Sequence, residues 1–301
     1  MRRIGHRLQM YAVRALRGAL RPLPEGTRAA VLGWIGRRLV FNTPSLRKRI
    51  DDNLRLVFPE LTASERVRLT GATASKTARN MFDMLDNERL LALKDKMQIA
   101  PMPGWTALKA AQSKGQGTIL IGGHYGRFDA VRAALLHRGI EVGAVYRPQN
   151  NPHHNAELVH HFEKVGGPMV PRGRAGMRKL IKHLRSGGVM AILIDQKTGL
   201  GVSLDFMGHP AMTSTDIADL ALRYDLPLIP AYALRTDDGT HFRIELEAPI
   251  QPSDPETMTQ EVNDSLARRI RQDPTEWYWL HRRWAKPIRQ INAEAARQSS
   301  S

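Results

Sequence analysis

The sequence predicts an α/β fold: a largely parallel, mixed sheet flanked by helices, with a helical N-terminal region. Short apolar runs at residues 118–121, 142–146, 169–170, 189–194 and 228–234 alternate with helical stretches at 130–137, 154–165, 175–185 and 215–224. Strand, helix, strand at this spacing implies a parallel sheet. Residues 231–235 and 241–247 flank Asp237-Asp238-Gly239, a hairpin signal that adds an antiparallel pair. The N-terminal third, by contrast, carries helical periodicity.

Taken in order, Leu8, Tyr11, Ala12, Ala15, Leu16 and Ala19 fall at i, i+3, i+4 spacing, with Arg7, Arg14, Arg17 and Arg21 largely elsewhere. This is a basic amphipathic helix, ended by Pro22 and Pro24. A second apolar helix covers 29–41 and a third segment 47–58, closed by Pro59. Thr62-Ala63-Ser64-Glu65 offers a capping box for a helix running to about Leu91. Beyond the sheet a last helix near 260–271 precedes Asp273-Pro274 and the aromatic segment Trp277-Tyr278-Trp279-Leu280. That segment can anchor at a headgroup layer or pack into the core. The chain divides into basic amphipathic helices (1–60) expected to associate with a membrane, an α/β domain (61–290) and a polar tail (291–301).

The 301 residues carry a net charge of +16 and no cysteine. Thiol catalysis, disulfides and Cys-ligated zinc are therefore excluded. The charge suits an anionic partner: a nucleic acid, a membrane or an acidic protein. Within residues 1–50 only Glu25 is acidic against a dozen arginines and lysines. Such a helix can lie in the headgroup layer of an anionic leaflet; packing on its own domain with a solvated basic face is the other reading. No apolar run reaches the length of a spanning helix. The arginines form no nucleic-acid motif and aromatic residues are only 6%, so no nucleic-acid partner is expected.

Ligand sites in open α/β sheets gather beyond the carboxyl ends of the strands. There the sequence places Gly122 to Asp129, Arg147 to Asn151, Arg172-Gly173-Arg174 and Asp195-Gln196-Lys197. On one continuous helix His124 and Asp129 would lie about 140° apart; across a strand-to-helix turn they can meet. His124 is then a candidate general base with Asp129 as its orienting carboxylate. Arg147 is a candidate phosphate or oxyanion ligand because its fork matches such oxygens, against a solvated loop arginine; Arg174 is a second of that kind. Asp195 either takes part in catalysis or orients the site from a buried position. His281-Arg282-Arg283 is a candidate contact for an anionic substrate. His153, His154, His160 and His161 lack the spacing of a zinc site, and no metal is expected.

Gly-Gly-His124-Tyr-Gly-Arg-Phe-Asp129, Val145-Tyr146-Arg147-Pro148, Asp195-Gln196, Phe206-Met207-Gly208, Trp279-Leu280-His281-Arg282-Arg283-Trp284 and the upstream Asp52-Asn53-Leu54 together resemble the late acyltransferases of lipid A biosynthesis. The likeness runs in order from about residue 35 to 286. It implies an acyl carrier protein thioester as donor and a phosphorylated, Kdo-bearing lipid A precursor as acceptor, at the cytoplasmic face of the bacterial inner membrane. It also implies His124 as general base with Asp129 as its partner, and no cofactor. Because the N-terminus lacks the long apolar helix of many members, peripheral or monotopic attachment is expected. With no cysteine and no G-x-S-x-G serine, transfer would proceed without an acyl-enzyme. Candidate oxyanion donors are backbone N–H groups near Gly122 and Gly123 or a nearby cation. Acylation of another membrane lipid, a lysophospholipid or an amino-lipid, is the alternative reading.

Overall fold

The computed structural model describes residues 11, 14–236, 241–285 and 288. Residues 11 and 14–20 are helical; residues 8–10, 12 and 13 of the expected first helix lie outside the described residues. Helices α1 (Glu25–Phe41), α2 (Pro44–Val57), α3 (Ala63–Asp83) and α4 (Asn87–Leu91) follow. The capping box forms as read: the Glu65 N–H donates to Thr62 Oγ1 at 3.3 Å and the Thr62 N–H to Glu65 Oε2 at 2.8 Å. The helix expected to reach Leu91 stops at Asp83, where the chain turns and sends α4 against the helices that flank the sheet.

The sheet contains β1 (Met97–Ile99), β2 (Thr118–Gly122), β3 (Val142–Tyr146), β4 (Met169–Pro171) and β5 (Val189–Leu193). The strands β6 (Val202–Phe206) and β7 (His209–Thr213) form a separate ribbon, and β8 (Leu228–Arg235) and β9 (Phe242–Leu246) complete the main sheet. Its order is β1-β9-β8-β2-β5-β3-β4. From β8 to β4 every pair is parallel, whereas β8 and β9 are antiparallel and β1 runs parallel to β9. The mixed character read from the hairpin signal is therefore present, although the turn residues 237–240 lie outside the described set.

Three features escaped the sequence reading. The strand β1 is only three residues long, too short to show a period. The helix α5 (Pro103–Ser113) connects it to β2. The ribbon β6-β7 has alternating exposure and turns at Met207 and Gly208, with φ of 60° and 86°. Both central residues of such a turn need positive φ, and Met-Gly does not advertise it as Asn-Gly would.

The flanking helices are α6 (Ala130–Leu136), α7 (Pro152–Glu163), α8 (Arg174–Arg185), α9 (Asp216–Arg223) and α10 (Pro255–Gln272). All five residues of β2 are buried, as a central strand covered on both faces requires. Successive side chains alternate: Leu120 packs with Ala130, Val131, Ala134 and Leu135 of α6, while Ile119 and Ile121 pack with Leu180, Leu184, Leu220 and Val262 of α8 to α10. Each buried leucine or isoleucine contributes about 2 kcal/mol. A third core joins α2 to the C-terminal segment, with Ile50, Leu54 and Leu56 against Trp277, Trp279 and Trp284. The three tryptophans are 0% exposed, so this segment packs in the core rather than at a headgroup layer.

Candidate active site

The strands β2 and β5 are neighbours, and their parallel register matches Gly122 to Leu193. Two residues further along each strand stand His124 and Asp195. The Ile194 N–H bonds the Gly122 carbonyl at 3.0 Å, carrying the match past the strand ends. The two side chains therefore emerge side by side: His124 Nδ1 lies 2.8 Å from Asp195 Oδ1. The His124 backbone N–H donates to Asp195 Oδ2 at 2.8 Å, and the Trp277 indole N–H donates to the same oxygen at 2.9 Å. Because the carboxylate only accepts, the neutral ring carries its proton on Nδ1 and its lone pair on Nε2.

Gly123 makes this approach possible. A Cβ there would lie 2.4 Å from Leu266 Cδ2 and 3.0 Å from Asp195 Oδ2. Residues 124–126 are held by an antiparallel bridge between Tyr125 and Trp277. In it the Tyr278 N–H bonds the His124 carbonyl at 3.1 Å and the Gly126 N–H bonds the Glu276 carbonyl at 3.0 Å. The C-terminal segment thus both clamps the histidine loop and brings Trp277 to Asp195. In turn, the Asn53 side chain of α2 fixes that segment by donating to the carbonyls of Trp279 and His281 at 2.7 and 3.0 Å.

Asp195 is fully buried. Burial alone would push its carboxyl up, but the charge and hydrogen bonds of His124, with His281 nearby, hold it well below the usual carboxylate range. The His281 ring stands edge-on to His124 at 4.7 Å, with Nε2 3.8 Å from Asp195 Oδ2 and no hydrogen-bond partner. Three potential metal ligands, His124, Asp195 and His281, thus lie within 4.8 Å of one another. Yet Asp195 already accepts from three N–H donors, and their positive hydrogens occupy the directions from which a cation would approach.

Burial pushes the His281 imidazole down to about 4 from 6.5, against the pull of Asp195. Between those values the unfolded chain binds a proton that the folded chain does not, so stability falls as the pH drops from about 6.5 to about 4. The loss amounts to about 3 kcal/mol. Asp195 acts lower: its depressed value contributes stability that is present above about pH 4 and lost below it. In urea unfolding across a pH series, His281→Gln should flatten the upper limb and leave the lower one. A slope unchanged between pH 6.5 and 4 would contradict this account.

The expected contact between His124 and Asp129 is not made. Asp129 is 1% exposed and pairs with Arg127, accepting from Nε at 2.6 Å and Nη2 at 3.1 Å. The reason is the buried guanidinium two residues upstream, which must be neutralised where it stands. Arg127 also donates to the Asp83 carbonyl and Asn87 Oδ1, at 2.9 and 2.8 Å. Around Asp83 this extends into a charged cluster: Arg28 at 3.2 Å from α1 and Arg235 at 3.1 Å from β8. Asp129 therefore ties the turn to the N-terminal helices.

An apolar groove of about 990 Å³ opens at the sheet edge, lined by Val145, Val170, Met177, Leu180, Ile192 and Ile217. Gln196 belongs to its lining and lies next to His124, with 3.5 Å between Nε2 atoms. Arg174, Arg172, Arg178 and Lys197 also line it. Arg147 is exposed after β3 and does not line this groove. Arg282 is exposed, but Arg283 is 1% exposed and donates inward to the Met212 carbonyl and Thr213 Oγ1, both at 2.8 Å. Arg283 is accordingly a strut beneath the ribbon, not a substrate contact. Of the four clustered histidines, His161 bonds Arg17 Nη1 at 2.7 Å, and Glu157 pairs with Arg14 and Arg17 at 3.1 and 3.5 Å. Part of the first helix's basic face is therefore engaged by α7.

Sequence reasoning placed His124 and Asp195 on one edge but did not pair them. The missing signal was register: both residues stand two positions past residues that face each other across adjacent strands. Trp277 as a donor to Asp195 had no signal, since its partner is remote in sequence.

The site thus holds a histidine with one nitrogen on a buried carboxylate and the other beside Gln196, next to an apolar groove. Residues 2–286 match the family of bacterial lipid A biosynthesis acyltransferases, and the chain belongs to it. It is 24% identical over 251 residues to the lipid A biosynthesis lauroyltransferase of Escherichia coli (strain K12), covering 79% of this chain and 78% of that one. It is 26% identical over 251 residues to the lipid A biosynthesis acyltransferase of Haemophilus influenzae (strain ATCC 51907 / DSM 11121 / KW20 / Rd), covering 77% and 75%. A lipid A biosynthesis palmitoleoyltransferase of E. coli (strain K12) is 22% identical over 275 residues, 86% of each chain. The protein is thus an acyltransferase of this family.

Proposed function

We propose that the protein transfers a fatty acyl chain from an acyl carrier protein thioester to a hydroxyl of a lipid A precursor, in a single ternary complex. The observation that carries the mechanism is the 2.8 Å contact between His124 Nδ1 and Asp195. It leaves Nε2 to take the hydroxyl proton as the oxygen attacks the thioester carbonyl, while Asp195 stabilises the imidazolium that forms. The thiolate leaves and accepts the proton, so no acyl-enzyme is needed. The groove supplies apolar walls for the chain, and Arg174 with Arg172 and Lys197 supplies positive charge for phosphates.

The same reading sets the reaction at the inner-membrane surface, with the protein attached peripherally or monotopically. No helix among the described residues is long and apolar enough to cross a membrane. On α1, Trp34 and Leu39 are each 60% exposed, and the Arg38 guanidinium lies over the Trp34 ring. Trp34 and Arg38, about 40° apart on the helix, put an aromatic and a basic side chain on one face, a pairing that suits the headgroup layer. Purified protein mixed with carrier-protein thioesters of several chain lengths and a Kdo-bearing lipid A precursor is expected to yield an acylated precursor. Absence of transfer from every donor would overturn the reading, and acylation of a lysophospholipid alone would favour the alternative acceptor.

A further inference from the structure

The helix α8 carries a stripe of cations with no counter-charge of its own. Arg174, Arg178, Lys182 and Arg185 are all exposed and, at about 100° per residue, share an arc of about 80°. The other side of the helix buries Gly176, Leu180 and Leu184, so the stripe faces outward. It runs for about 16 Å. The helix contains no acidic residue, and among the described residues none of the four forms an ion pair. Some exposed cations elsewhere are matched: Arg55 pairs with Asp51, Lys48 with Asp52 and Arg223 with Asp219. Like charges at i, i+4 oppose the helix. Four in a row are a cost that an anionic partner would relieve.

The stripe also has a direction. Arg174 and Arg178 line the apolar groove that leads to Gln196 and His124, whereas Lys182 and Arg185 line a shallow hollow further along the same helix. Positive charge therefore extends from the groove outward along α8.

We propose that α8 is the docking track for the acidic protein that carries the acyl donor. The carrier's acidic surface pairs with the outer part of the stripe, Arg178, Lys182 and Arg185, and its tethered thioester enters the groove towards His124. This rests on the carrier-thioester reading of the reaction given above. A protein suits the stripe better than a membrane does. Lying in a bilayer surface needs apolar side chains on the buried side of the charges, and no large apolar side chain on α8 is exposed. The exposed ones are on other elements: Tyr11 before α1, Trp34 and Leu39 on α1, Val67 and Met81 on α3, and Leu200 in the groove lining.

The test uses Lys182→Glu/Arg185→Glu, two positions outside the groove lining, and two donors with the same acyl chain: carrier-protein thioester and acyl-pantetheine. The expected result is a rise of about tenfold or more in KM for the carrier-borne donor, with kcat and the acyl-pantetheine rate within about twofold of wild type. Raising the salt concentration should weaken the wild type towards the variant. Unchanged KM for the carrier donor, or equal losses with both donors, would overturn the proposal. So would loss of binding to anionic vesicles with carrier kinetics intact, which would give the stripe to the membrane. If wild type uses neither donor, the reading of the reaction fails, and the docking track fails with it.

Discussion

His124→Ala is expected to lower kcat by about 10³-fold, the scale of removing a positioned general base. Asp195→Asn should cost about 10²-fold to 10⁴-fold for a different reason. The amide keeps the shape, and with its oxygen at the Oδ2 position it can still accept from the His124 backbone N–H and the Trp277 indole N–H, which turns its NH2 towards Nδ1. It cannot, however, favour the Nδ1–H tautomer as strongly or stabilise the imidazolium. Both variants should bind donor and acceptor nearly as wild type does, so the loss falls on kcat and not on KM. Initial rates with saturating substrates read this directly. Full activity in His124→Ala would remove the histidine from the chemistry, and full activity in Asp195→Asn would remove the pairing.

Asp129→Ala is expected to destabilise the fold by about 2–3 kcal/mol, because Arg127 loses its bidentate partner and keeps only the Asp83 carboxylate, 3.5 Å away, as counter-ion. The companion Arg127→Met/Asp129→Leu should recover most of that stability, since it removes both charges together. Thermal unfolding measures each. The same pair separates the two roles open to Asp129. If it acts only through Arg127, activity per folded molecule should survive in the double variant within about tenfold. A stable but inactive double variant would instead give Asp129 a direct part in catalysis.

Much of the fold was legible because apolar periodicity is a local signal. The strand ends at Gly122, Tyr146, Pro171, Leu193 and Arg235 lie within a residue of the apolar runs that announced them. The sheet's short edge strand and the ribbon were not legible. Three residues of β1 cannot show a period, and the ribbon's turn depends on positive φ at Met207. At the site, chemistry was visible and partnership was not. His124, Asp129, Asp195 and Gln196 all stood out, but who pairs with whom depends on long-range facts. Arg127 captures Asp129 because it is buried, and burial of an arginine leaves no local trace. Arg283 misled for the same reason, its neighbours in sequence suggesting a surface basic patch while its neighbours in space are Met212, Thr213 and Phe206.

The match of Gly122 to Leu193 constrains how the chain can vary in length. At the amino ends of β2 and β5, insertions would lengthen loops such as those around Gly115 and Gly187 and leave the strand exits level. One residue added or removed between the matched pair and either His124 or Asp195 would turn a side chain to the opposite face of the sheet. The sheet thus behaves as a gauge with one free end and one fixed end. Relatives that differ in length are expected to place their insertions on the free side, and a circular permutant opened there should keep its histidine and aspartate opposite each other.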